Sequence, residues 1–373
     1  MIHLKMNKLS PKSLYIHIPF CAHICKYCDF TKLIYNEEFA KKYVDVLLYE
    51  LDSYHIGKVD TIYVGGGTPT SLKDSDLKRI LLALKPHLTD GGEFTVEANV
   101  ENLDASKLDI FKECGVNRIS IGVESTSDKM LNSINRHHTF KDAVSVVSLA
   151  KRKGFDNINV DLIYGLPGQS LEDLKTDLDN ILSLDVPHIS IYSLIVEKGS
   201  MFFNMGIKEQ DENASREFYE VIVSKLREAG YERYEISNFA KNKRYSRHNL
   251  TYWKDEEYYG LGLGASGYLN KVRYKNTSSL KKYLAKEFID TKEEVTPTSE
   301  MEDYLLTNLR LEKGFKKEDF KKRFGVDFEI KFKEVITSLN KNSLFSISKD
   351  SIMLSDEGLI LLDFVLVKLY EYC

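Results

Sequence analysis

The feature that most constrains this chain is a sixfold alternation of short apolar runs with helical patterns. Ser13–Ile18, Thr61–Val64, Glu93–Glu97, Asn117–Val123, Asn157–Ile163 and His188–Ser193 read as strands. Between and after them, 36–53, 74–84, 105–113, 140–152, 171–182 and 212–229 carry apolar residues at helical spacing. Strands separated by helices pair in parallel through right-handed crossovers. The repeat runs in one direction with no reversal. That favours a curved, partial (β/α)6 TIM-like barrel over a doubly wound sheet, within the α/β class. Chemistry in such barrels collects at the carboxyl ends of the strands.

Those ends carry unusual residues. After the first strand and Pro19 comes Cys21-Ala-His-Ile-Cys25-Lys-Tyr-Cys28, a C-x3-C-x2-C run. Three thiolates on one loop suit three corners of a cubane iron–sulfur cluster, the fourth iron staying open. Zinc, with His17 or His23 completing a Cys3His set, competes on spacing alone. Gly65-Gly-Gly-Thr-Pro-Thr70 follows the second strand and is neither a P-loop nor a dinucleotide fingerprint. It reads as close ligand approach with free backbone N–H groups, or as a tight turn. Glu97, Arg136 and Asp161 face the same mouth, where a carboxylate could accept from ribose and an arginine clamp a carboxylate. His137 and His138 read as solvated loop. His248, beside Tyr252 and Trp253, reads as an axial haem ligand or as a hydrogen-bonded loop residue.

Three segments are expected: 1–240 as the barrel with its cysteine loop, 241–296 as an extension holding the glycine-rich stretch 259–267, and 297–373 as a small α+β winged-helix-like domain. The net charge of −4 gives no footprint for nucleic acid, and the basic run 316–323 reads as a solvated helix face. The first ten residues lack the apolar core of a signal peptide, no run reaches membrane-spanning length, and the five cysteines do not form a secreted disulfide pattern. A cytoplasmic protein is expected.

With those residues in view, Tyr15-Ile-His-Ile-Pro-Phe-Cys21 and the cysteine run resemble the radical S-adenosylmethionine superfamily. Gly65–Thr70, Gly115–Val123 and Val160–Gly168 are similar to its oxygen-independent coproporphyrinogen III oxidase-like branch. Tyr234–Ala240 and His248-Asn-x-x-Tyr-Trp253 are typical of the haem-chaperone group in that branch. The resemblance implies a [4Fe–4S] cluster on Cys21, Cys25 and Cys28, with S-adenosylmethionine chelating the open iron. It places Tyr15, Tyr27, Gly66, Gly67, Thr68, Glu97, Arg136 and Asp161 at nucleotide-contacting positions. Glu124 stands there too, where relatives commonly have Gln, and Val100 stands where they have Pro.

The oxidases of that branch carry a further cysteine two residues after the third ligand, and a longer N-terminal arm. Here that position is Phe30, which relays neither a proton nor a hydrogen atom. Coproporphyrinogen oxidase activity is therefore in doubt. The resemblance implies haem binding and delivery to haem-accepting respiratory proteins, and admits peripheral membrane contact through them and a dimeric state. Two alternatives stand beside it: anaerobic decarboxylation of coproporphyrinogen III, and a zinc-stabilised interaction protein.

Overall fold

A computed structural model describes residues 11–373; the signal-free reading of residues 1–10 lies outside the described residues. Six parallel strands form the frame: β1 (Ser13–Ile18), β2 (Val59–Gly66), β3 (Leu88–Asn99), β4 (Arg118–Glu124), β5 (Ile158–Tyr164) and β6 (His188–Ser193). Two antiparallel strands, β7 (Glu232–Glu235) and β8 (Asn238–Ala240), extend it beyond β6, and β9 (Tyr259–Leu261) adds in parallel beside β1. The order is β9-β1-β2-β3-β4-β5-β6-β8-β7, with no ladder between β9 and β7. The barrel is therefore partial.

The outer layer is helical: α1 (Glu37–Ser53), α2 (Asp74–Leu84), α3 (Ala105–Cys114), α4 (Phe140–Arg152), α5 (Leu171–Ser183) and α6 (Glu212–Glu228). Local chemistry sets their starts. Thr139 and Ser170 each accept from the backbone of Asp142 or Asp173, whose carboxylates bond back to the cap, so two orphan donors are satisfied at each end. The core lies between sheet and helices, where Ile62, Phe94, Ile121, Val160 and Ile189 are fully buried.

The opposite strand face is polar. Arg118 and Ser120 on β4, Asn159 and Asp161 on β5, and His188 and Ser190 on β6 point into the barrel. Apart from Arg118, whose Nε has no hydrogen-bond partner among the described residues, they satisfy one another: Asn159 Nδ2 donates to Asp161 (2.7 Å), Asn159 Oδ1 pairs with His188 Nδ1 (2.5 Å), and His188 Nε2 pairs with the Tyr234 hydroxyl (2.8 Å). Burial without such partners would cost several kcal/mol for a charged group. A barrel filled this way has room for a polar ligand at its upper end.

Helix α7 (Arg247–Trp253) closes the lower end, its first N–H groups held by Glu93. A three-stranded sheet, Ser266–Leu269, Val272–Asn276 and Ile289–Glu294, packs outside β9. A second core gathers Leu305, Phe320, Phe328, Phe332, Ile352 and Val365 from helices around another three-stranded sheet. Arg233, almost fully buried, joins this unit to the barrel through Glu312 (2.5 Å) and Asp356. No described helix is long and apolar enough to cross a membrane.

Candidate functional site

A cavity of about 450 Å³ opens at the carboxyl ends of the parallel strands. Pro19 ends the β1 ladder, yet the chain pairs again at once: Phe20–Cys21 lies against Leu33–Ile34. This two-strand clasp fixes the base of the cysteine loop, with Leu33 N donating to Pro19 O (2.6 Å) and Tyr35 N to Cys21 O (2.9 Å). The loop is tied to its neighbour by Lys26 N to Ile134 O (3.1 Å) and Asn135 Nδ2 to Ile24 O (2.8 Å). All three cysteines are free thiols lining the cavity. Burial raises each of them, Cys28 to about 12.

Among the described residues, no three of His, Cys, Asp or Glu are gathered closely enough to hold one metal ion. His17 does not complete a zinc set, because Nδ1 meets the Tyr15 hydroxyl (2.9 Å) and Nε2 meets Thr31 O (2.8 Å). A cubane cluster places each thiolate on a different iron and needs no such convergence. The donor set fits the cluster.

The glycine string serves packing. A Cβ on Gly65 would lie 2.7 Å from the Glu97 carboxyl carbon, one on Gly66 2.5 Å from the His17 ring, and one on Gly67 2.9 Å from Cys21 Sγ. Gly66 has φ +112°, which glycine alone adopts easily. The expectation of free backbone donors is corrected: Gly66 N donates to Glu97 Oε2 (3.0 Å), Gly67 N to Ile18 O and Thr68 N to Phe20 O (both 2.8 Å). Thr68 in turn reaches Cys21 Sγ with its hydroxyl at 3.6 Å.

Glu97, Glu124, Arg136 and Asp161 come together on one wall with Tyr27. Burial pushes Glu97 up to about 7 against the Tyr63 hydroxyl (2.7 Å), which favours its charge. Glu124 also rises to about 7, burial outweighing the opposing Arg136. It sits at a bulge between β4 and β5 with φ +66°, a strained conformation that turns its side chain into the cavity. Arg136 is buried and bonds Gly122 O, while its Nε has no hydrogen-bond partner among the described residues. That Nε faces Glu101 Oε1 at 4.0 Å, and it is the guanidinium's charge on the cavity wall, beside the raised carboxyls, that fits an amino-acid headgroup with its carboxylate and ammonium.

Two sequence candidates lie elsewhere. Tyr15 sits one layer below the cavity, bonded to His17 and near the Tyr63 ring, so it braces the floor rather than lining it. His248 is fully buried: Nδ1 meets Thr61 Oγ1 and Nε2 meets the Tyr252 hydroxyl, both at 2.8 Å, with Tyr63 stacked on its ring. The axial-ligand reading is corrected to the hydrogen-bonded one, since ligation would require breaking both bonds and displacing α7. Sequence reasoning missed Tyr63, Asn99, Ser120 and Tyr192 as cavity residues. The period-two spacing that joins Tyr63 to Gly65, Ser120 to Gly122 and Tyr192 to Ser190 was the available signal.

Residues 15–181 match the model of the radical SAM superfamily, and 295–361 match that of the HemN C-terminal domain. The fold is that of the Escherichia coli coproporphyrinogen III oxidase HemN, a radical SAM enzyme: TM-score 0.85 at 20% identity, covering 98% of this chain and 91% of that one. Fold and cavity thus define a radical SAM protein, and that family implies a [4Fe–4S] cluster and S-adenosylmethionine. A protein of Lactococcus lactis named heme chaperone HemW is 39% identical over 93% of this chain and 94% of its own. Its namesakes from Bacillus subtilis and Escherichia coli are 40% and 35% identical, over 94% and 82% of this chain and 97% and 84% of theirs. The chain belongs to the HemW family.

Proposed function

We propose that this chain binds haem and delivers it to haem-dependent respiratory proteins, while carrying a cluster on Cys21, Cys25 and Cys28 and S-adenosylmethionine against Glu97, Glu124, Arg136 and Asp161. The names of its relatives support the haem reading. The observation that carries it within the chain is Phe30, which lines the cavity where the oxidases of the branch have a cysteine and is 62% exposed. A phenyl ring there supplies an apolar face and no exchangeable hydrogen.

When bound, the cluster supplies one electron for reductive cleavage of the sulfonium. The chain's part is to hold and orient. Arg136 sets its positive charge on the cavity wall for the ligand carboxylate, and the two raised carboxyls lose their protons to accept its ammonium and ribose donors. The polar column beneath, from Asp161 through Asn159 to His188, keeps the floor from shifting.

The test is haem titration of the anaerobically reconstituted chain, followed by mixing with a haem-depleted respiratory cytochrome. Stoichiometric binding and transfer faster than from free haem are expected. A chain that binds no haem would refute the reading.

A further inference from the structure

The rim of the cavity holds groups that neither cluster nor nucleoside uses. Two lips border it: the cysteine loop, and the segment after β6, joined by Phe202 N donating to Lys26 O (2.9 Å). Each exposes large apolar side chains. Phe30 and Ile34 do so on the first lip; Ile195, 59% exposed, and Phe203 do so on the second. Phe30 and Ile195 line the opening itself. Exposed apolar groups gathered at one opening mark a surface that a ligand covers.

His23 lines the same opening, and its ring lies 4.3 Å from that of His137, centroid to centroid, tilted by 57°. Both residues are exposed. His137 donates its backbone N–H to Glu101 (3.2 Å), but neither ring hydrogen-bonds a described residue. The buried histidines differ: His17, His188 and His248 have both ring nitrogens engaged, and His138 is enclosed, with Nε2 on Val123 O (3.2 Å) and Nδ1 facing Glu101 at 3.4 Å. Only a histidine with a nitrogen to spare can take a metal without breaking the fold.

Resting on the haem reading above, we propose that haem sits across the mouth of the cavity, with His23 as its axial ligand and one macrocycle face on Phe30 and Ile195. Imidazole nitrogen for iron and flat apolar surface for porphyrin are the two chemistries haem asks of a protein. The interior is of a size for one small molecule, and the cluster with S-adenosylmethionine claims it. Haem at the mouth covers that site without displacing it. His137 is a positioning residue, packed on the His23 ring and limiting its rotation.

The test is hemin titration of the cluster-loaded chain, read by the Soret difference band and the spin state, with iron and sulfide assayed in the same samples. His23→Ala should weaken binding at least about tenfold and lose the histidine-ligated spectrum, and added imidazole should restore that spectrum. His23→Met should keep binding but show a thioether-ligated spectrum, which separates ligation from any disturbance of the loop. His137→Ala should weaken binding less, and Phe30→Ala should lower affinity with an unchanged spectrum. Wild-type binding and spectrum in a His23→Ala/His137→Ala variant that retains its cluster would overturn the assignment and leave the haem reading standing. Absence of hemin binding by the wild type would overturn the haem reading itself.

Discussion

Replacing Glu124 by Gln tests the electrostatics of the cavity wall. Burial raises this carboxyl from 4.5 to about 7, with Arg136 opposing. The folded chain then holds its proton where the unfolded chain has already lost it. Between about pH 4.5 and 7 the native state binds more protons, so stability is greatest at the acid end of that window and falls as pH rises through it. At roughly 1.4 kcal/mol per pH unit, the gap amounts to about 3 kcal/mol for this one group. Gln keeps the shape and the backbone strain and has no proton to lose. The variant and the wild type should therefore have similar stabilities near the acid end, and the variant should gain by up to that amount above neutrality. Arg136 loses a partner in the variant, so the measured gain should fall below this ceiling. Anaerobic urea unfolding of the cluster-free chains across the window reads the difference directly. Parallel stability curves would show that Glu124 ionises as an ordinary surface carboxylate, and the account of the wall would be wrong.

Replacing any one of Cys21, Cys25 or Cys28 by Ser should remove most of the about four irons per chain that a cubane cluster brings, and stoichiometric zinc without sulfide would contradict the cluster reading. Arg136→Ala and Asp161→Ala should weaken S-adenosylmethionine binding to the reconstituted chain while the circular dichroism spectrum stays native; unchanged affinity in both would misplace the site. Affinity for that ligand should also rise with pH through about 7, because its cationic groups favour the ionised form of Glu97, and Glu97→Gln should flatten the profile. Gly66→Ala should destabilise the fold by about 2 kcal/mol or more, since the new methyl meets the His17 ring at positive φ, and a neutral result would remove the packing explanation of the glycine string.

The strand–helix alternation was legible because each element carried its own signals. The helix Phe140–Arg152 begins at a Thr-x-x-Asp capping box, and β6 begins at His188 just after Pro187; both elements fall where the spacing predicts them. The cysteine run was legible from spacing alone, down to the choice between iron–sulfur and zinc. What sequence hid were features set by distant contacts. β9 hides in Tyr-Gly-Leu-Gly-Leu-Gly, whose glycines weaken any strand pattern; Gly260 must be bare because a Cβ there would strike Ser266 O at 1.7 Å. The polar barrel interior hides because alternate residues of each strand are buried on both faces, so the apolar parity dominates the reading. His248 stayed open between two readings for a related reason. A histidine beside two aromatic residues looks like a ligand site until Thr61, 187 positions away, takes its second nitrogen.

The central claim is that this cavity serves haem carriage rather than porphyrin decarboxylation. One anaerobic sample, loaded with cluster and S-adenosylmethionine and then reduced, can be assayed for both hemin binding and loss of coproporphyrinogen III. Phe30 in place of a hydrogen-relaying cysteine and the apolar mouth predict stoichiometric hemin binding with coproporphyrinogen unchanged. Steady conversion to protoporphyrinogen at enzyme-like rates, without hemin binding, would contradict the account.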